Sequence, residues 1–502
     1  MKHMRWFLVC GVLLVIAAPT RHSLWLRAQN APPATSAHPS EEYLLLGDAT
    51  RGAGEPMLAV DPTNPKNIIA VAMGNMQRLG AEGATGNMTD AYHAVANSTI
   101  TWLAVTHDGG LTWKVGELPI LTGKFTRCPD SFAGVTADGT FLAGCEPRET
   151  TGDFFGASAV VVSTDKGETW GKPADIVSSY GLARFAPGLR PRIGGNSPWD
   201  RPYLFFDDST GVVYGQAGGG ETDINQEPGH FRTQSYLTAS TDKGKSFGTI
   251  YAWDSKDYPQ SGRGHMAAAN GVVGVLYAAR SAPPAENATC PCMVFGLSKD
   301  RGKTFAYQVV KSLPVQAGRG RGGQAGGAPP VGRGAGGGPG PSGGGVAGLA
   351  ADPTKPGRFA ILKYADGQYQ ASVSDDYGQI WSPFVPAGST ANASSLTKPW
   401  FEYSRKGMLG LMWRAVYPDR TYDIWSSLSR DGGKSFSASL RVSHALSPLP
   451  IPGRNAGLFG DDIQHLAMDD ANMHLVWGDS RAGFQAVWYG RVPFSAYSEA
   501  TR

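Results

Sequence analysis

Charge is in short supply in this chain. Its 45 Lys and Arg residues against 42 Asp and Glu, in 502 residues, leave a formal net charge of +3, too small an excess for a nucleic-acid partner or a polybasic membrane surface. Long apolar runs are scarce too. After the stretch from Trp6 to Ala18, no segment approaches the roughly 20 apolar residues that a helix needs to cross a bilayer. Only five cysteines occur, and too few soft ligands surround them for a thiolate metal centre. What the chain has in quantity is glycine, 67 residues, and aromatic side chains, 10% of the total. That balance suits many short strands joined by tight turns.

The beginning reads as an export leader. Met1, Lys2 and Arg5 precede the apolar stretch, and cleavage is expected after Ala28. Residues 29–40 are then expected to be unstructured and 41–495 to fold, in a secreted or periplasmic protein. Cys10 lies within the leader, and the four remaining cysteines suit an oxidising compartment. Cys128 and Cys145 flank a hairpin and are expected to pair, whereas Cys290 and Cys292 read as a local disulfide or as free thiols. Asn87, Asn97, Asn287 and Asn392 lie in glycosylation sequons. The segment 318–345 is a Gly/Pro/Arg tract that cannot bury a core and reads as a flexible insertion.

One eight-residue motif occurs six times: THDGGLTW from Thr106, STDKGETW from Ser163, STDKGKSF from Ser240, SKDRGKTF from Ser298, SDDYGQIW from Ser374 and SRDGGKSF from Ser429. Its grammar is Ser/Thr-x-Asp-x-Gly-x-Thr/Ser-Trp/Phe, departing only at Ile380. The aspartate is expected to accept hydrogen bonds within its own turn, the glycine to adopt positive φ, and the closing ring to pack beneath the hairpin. These six aspartates are therefore read as scaffold rather than catalysts.

The motif resembles the Asp-box of the bacterial neuraminidase (sialidase) repeat, also called BNR. Between the boxes runs a second repeat of two apolar strands and a turn, beginning near Met57, Ser131, Pro202, His265, Val346, Trp400 and Ile463. With the boxes these units predict an all-β propeller of four-stranded antiparallel blades, seven rather than the six of catalytic sialidases. The seventh unit lacks an outer strand, which the segment from Tyr43 is expected to supply.

The resemblance implies that the boxes face away from a ligand funnel, which would collect the starts of first strands and the ends of second strands. Candidate acids there are Asp200, Glu146 and Asp461 or its neighbour Asp462, with Glu55, Asp130 and Asp479 nearby. Tyr422 or Tyr417 is the candidate for the tyrosine nucleophile that sialidases use. Arg280, Arg414 and Arg481 recur at equivalent blade positions and are expected to grip a sugar carboxylate, with Arg201, His265 and Trp400 adding contacts and Arg148, Lys398, Trp199 and Trp413 nearby. The Arg-Ile-Pro signature of catalytic sialidases is absent, its place taken by RGAGEPMLAVDP from Arg51. Two functions are therefore weighed. One is an exo-glycosidase acting on a terminal acidic sugar; the other is a non-catalytic module binding a protein or polysaccharide. A monomer is expected, with no cofactor and no metal.

Overall fold

The computed structural model describes residues 24–27, 38–48, 51–74, 99–149, 155–193, 199–222, 231–261, 264–279, 290–311, 313, 346–449 and 463–498. The apolar strand pairs form the inner halves of seven antiparallel sheets. First strands are β3 (Ala53–Val60), β7 (Phe132–Val135), β11 (Asp200–Asp207), β15 (His265–Ala269), β19 (Val346–Ala351), β23 (Ser395–Tyr403) and β28 (His465–Met468). Each touches the first strand of the next blade, and β28 touches β3, so they close a ring around a central channel. Second strands are β4 (Ile68–Gly74), β8 (Phe141–Cys145), β12 (Val212–Thr222), β16 (Val272–Ala279), β20 (Phe359–Ala365), β24 (Leu409–Val416) and β29 (Asn472–Asp479). Several, such as β4 and β16, are buried along their whole length. Neighbouring blades cover both of their faces, which is why they read as continuous apolar runs without alternation.

Third strands are β5 (Thr101–Thr106), β9 (Ala157–Ser163), β13 (Phe231–Ser240), β17 (Cys292–Ser298), β21 (Gln368–Ser374), β25 (Thr421–Ser429) and β30 (Ala486–Pro493). The outer strands β6 (Thr112–Glu117), β10 (Ala174–Ser178), β14 (Tyr251–Ala252), β18 (Ala306–Val309), β22 (Val385–Gly388) and β26 (Leu440–Arg441) complete six blades. The seventh is completed by β2 (Glu41–Leu46), which pairs with β30. Seven blades closed by a strand from near the start of the chain is the arrangement expected, and the six-bladed alternative is excluded. Two further strands lie outside this scheme: β27 (Ser447–Pro448) pairs with β25, and β1 (Leu24–Arg27) pairs with β6. Strand β1 falls inside the expected export leader, so cleavage after Ala28 would remove it.

The boxes sit between third and outer strands, and their chemistry is that of a self-closed turn. In the second box Asp165 Oδ1 accepts from Ser163 Oγ at 2.7 Å and from Thr169 N at 2.9 Å, while Ser163 Oγ accepts from Gly167 N at 2.8 Å. The other five repeat the first two bonds. Ile380 has no hydroxyl, so Asp376 lacks the second side-chain bond that Thr169 gives Asp165. The box glycine is also where one blade meets the one before it. A Cβ on Gly167 would lie 2.8 Å from Val105, on Gly244 2.4 Å from Leu142, on Gly302 2.3 Å from Leu237 and on Gly378 2.4 Å from Phe295. These glycines have φ between +82° and +92°, so both turn and contact exclude a side chain.

Ring closure repeats that logic. The hydroxyl of Tyr43 in β2 donates to Gly110 O of the first box at 2.6 Å and accepts from Trp113 Nε1 at 3.0 Å. Apolar clusters fill the spaces between blades, one of them joining Tyr43 and Tyr489 to Trp102 and Trp113. Cys128 is joined to Cys145, and Cys290 to Cys292. Among the described residues no helix is long and apolar enough to cross a membrane. The Gly/Pro/Arg tract lies outside the described residues.

Candidate functional site

Four first strands begin with the same distortion. Glu55, Asp130, Arg201 and Lys398 have φ of +50°, +49°, +54° and +52°. The residue that follows is Pro56, Ser131, Pro202 or Pro399, and then comes Met57, Phe132, Tyr203 or Trp400. At three of the four the ladder slips, between Gly54 and Met57, Asp200 and Tyr203, and Thr397 and Trp400. Proline has no N–H for the ladder and so suits a bulge. A left-handed residue other than glycine costs roughly 1 kcal/mol or more, yet here the position holds two acids and two bases. Polar side chains retained at a strained, repeated position mark the funnel end of the ring as the place to look for function.

On one side of this mouth three carboxyl groups meet. Asp130 precedes β7, Glu146 follows β8 and Asp200 opens β11; an oxygen from each lies within 4.8 Å of the others. The local fold holds them there. Glu146 N donates to Pro129 O at 2.9 Å, and the Cys128–Cys145 disulfide ties the residues just before. Arg148 Nη2 donates to Glu146 Oε2 and, at 3.1 Å, to the carbonyl of Trp199, beside Asp200. Arg201 Nε lies 3.8 Å from Asp200 Oδ1. Asp130, Asp200 and Arg201 are half-buried, whereas Glu146 has no exposure and its Oε1 finds no hydrogen-bond partner among the described residues.

Burial pushes the Glu146 carboxyl well above the usual range, and the Asp130 charge adds to this, while Arg148 and Arg201 oppose it. Three carboxyls in reach of one another invite comparison with a cation site. The donor set does not fit one, because two guanidinium groups already face it.

Other expected site residues go elsewhere. Arg481 is drawn into ring closure, pairing with Glu42 of β2 and at 3.1 Å with Asp479, and lying 3.8 Å from the ring centre of Trp488. Glu42 on the outer strand and Asp479 at the end of β29 hold its guanidinium, an arrangement that does not favour its expected role in gripping a sugar. The Tyr422 ring is buried and its hydroxyl donates to Gly478 O at 2.9 Å. A phenol whose proton is spent on the next blade's backbone is poorly presented for its expected role as a nucleophile. Tyr417 donates to Asp423 at 2.9 Å, and burial pushes its hydroxyl up to about 12. Arg414 is buried against Tyr422, 4.8 Å from the ring centre, with Nε 3.3 Å from Thr397 Oγ1. His265 is buried, and burial lowers it to about 4, so it is neutral. Trp199 and Trp413 are core residues with 1% and no exposure. Arg280, Asp461 and Asp462 lie outside the described residues.

Trp400 lies across the channel. Its ring is 4.1 Å from His465 of the seventh blade and 5.9 Å from Tyr203 of the third. Below it Trp400 Nε1 donates to Glu402 Oε2 at 2.9 Å. Burial raises Glu402 to about 7 against the opposing Trp400 bond and Arg405. At the box end, Arg405 crosses the ring to Asp208 of the third blade and donates to Val135 O of the second at 2.8 Å. Tyr203, Glu402 and His465 were not singled out from the sequence. The available signal was the spacing of Trp400 and Glu402, two residues apart on one strand and so on one face.

No protein-family model matches the chain, and no curated protein sequence matches it. Solved structures are similar to it in outline. A protein of unknown function from Dyadobacter fermentans is 14% identical over 77% of this chain and 97% of its own, with a TM-score of 0.46. The Hadza microbial sialidase Hz136 is 14% identical over 80% of this chain and 74% of its own, with a TM-score of 0.42. The intramolecular trans-sialidase from Ruminococcus gnavus is 14% identical over 75% of this chain and 96% of its own, with a TM-score of 0.40.

Proposed function

We propose that this protein is a glycan-directed propeller that binds a sugar at the mouth between its second and third blades. The observation that carries the reading is the meeting of Asp130, Glu146 and Asp200 within 4.8 Å, with Arg148 and Arg201 beside them. A sugar hydroxyl donates one hydrogen bond and accepts others, so its natural receptor sets a carboxylate next to a guanidinium. Trp400, partly exposed at the channel floor, supplies the apolar surface on which a pyranose ring can rest.

Binding is favoured over hydrolysis because the chemistry a glycosidase needs is held back. Glu146, a candidate acid, has no exposure, and Tyr422 is spent on Gly478. One observation supports the hydrolase as a second reading. The Glu146 and Asp200 oxygens within 4.8 Å of each other are near the spacing of about 5 Å expected of a retaining carboxyl pair.

The test pairs a glycan array with a panel of chromogenic glycosides, including a sialoside, on the purified chain and its Asp200→Asn variant. Glycan binding that the variant loses, without turnover, is the expected result. Turnover lost in Asp200→Asn would establish the hydrolase, and absence of both would remove the glycan reading.

A further inference from the structure

We infer that this mouth selects an uncharged sugar and rejects an acidic one. The inference rests on the glycan reading and concerns what class of glycan the site takes. Recognition of a sugar carboxylate calls for guanidinium groups whose charge is not already matched. Each described arginine that faces the mouth or was expected to do so has an acid or a ring as its neighbour. Arg148 is matched by Glu146, Arg201 lies beside Asp200, Arg481 is enclosed by Glu42 and Asp479, and Arg414 lies over Tyr422. Lys398 is only 9% exposed.

A carboxylate brought to the mouth would therefore meet Asp130 and Asp200, both half-buried, where the low local dielectric strengthens repulsion between like charges. An uncharged ring gains from the same groups. Its hydroxyls donate to the Asp130 and Asp200 oxygens and accept from Arg201, and no charge has to be stripped of water.

The experiment is an array carrying matched glycans that differ only in the terminal residue, glucose against glucuronic acid and galactose against galacturonic or sialic acid, followed by titration calorimetry of the best hits. Neutral termini are expected to bind at least about tenfold more tightly than their acidic counterparts, the equivalent of one repulsive contact. Their affinity should change by less than about twofold between low and high salt, because no ion pair forms. Asp200→Asn, an isosteric change at a half-buried position, should narrow the discrimination by weakening neutral binding and relieving repulsion of the acid. Its melting temperature reports whether it is folded, and Asp130→Asn gives a second route to the same readout. Tighter binding of the acidic member would overturn the inference while leaving the glycan reading standing. Binding of no glycan at all would remove both.

Discussion

At the residue scale, the chain uses carboxyl groups in two opposite ways. The box aspartates are ionised scaffold. Burial works against the charge of Asp165, but hydrogen bonds from Thr169 and Ser163 outweigh it and bring the group down to about 2 from a reference of 3.8. A carboxyl depressed in the folded state adds stability that is complete above its unfolded value and is lost as pH falls through the folded one. Thermal melts should therefore show a loss of stability between about pH 4 and pH 2, and Asp165→Ala should flatten the slope in that window. An unchanged slope would mean that the turn closes without its aspartate. Glu146 has the reverse sign. Its raised value makes folding take up a proton, so it costs stability as pH rises above its reference of 4.5. Glu146→Gln keeps the shape of the side chain without its titration and is expected to fold and to lose this pH dependence. Glu146→Asp leaves the Arg148 partner out of reach and should be the less stable of the two in urea.

At the scale of elements, the informative one is β2, because a single strand closes the ring. It pairs with β30, brings Tyr43 to the first box and places Glu42 against Arg481. Arg481 is mostly buried, with acids on both sides, so removing it leaves Glu42 and Asp479 without their counter-charge. Arg481→Ala should cost about 3 kcal/mol or more, the range for breaking a buried pair from one side, measured by denaturant unfolding. Lost glycan binding at unchanged stability would instead restore Arg481 to the ligand site. Each sheet's existence was legible from the boxes and the apolar pairs, as was β2 in the seventh blade. The claim of that blade on Arg481 was not. Its position at the end of a second strand matched that of Arg414, and only the arrival of Glu42 from 439 residues away decided which way it points.

At the scale of the whole molecule, the channel has two closures. Trp400, His465 and Tyr203 meet at the funnel end, and Arg405 spans to Asp208 at the box end. Glu402 is shut between the two closures beside the Trp400 indole. Because Glu402 is raised to about 7, it is protonated below that pH and charged above it. Emission from Trp400 should titrate with a midpoint near pH 7, and Glu402→Gln should abolish the transition while leaving the fold intact. A profile flat from pH 5 to 9 would mean that Glu402 keeps one protonation state throughout. No pattern along the chain announces this arrangement, because Tyr203, Trp400 and His465 belong to the third, sixth and seventh blades.

The amino-acid sequence by itself determined the repeat, the blade count, the scaffold role of the box aspartates and the strand that closes the ring. Those properties are local: a turn that binds its own carboxylate, or an apolar run with a turn at its middle, needs no distant partner to declare itself. Only the tertiary structure decided which charged and polar side chains come together. Asp130, Glu146 and Asp200 come together, Arg481 leaves for Glu42, and Tyr422 gives its hydroxyl to Gly478. A buried charge goes wherever its nearest counter-charge and its loss of water direct it, and in a ring of blades those neighbours come from parts of the chain far apart in sequence.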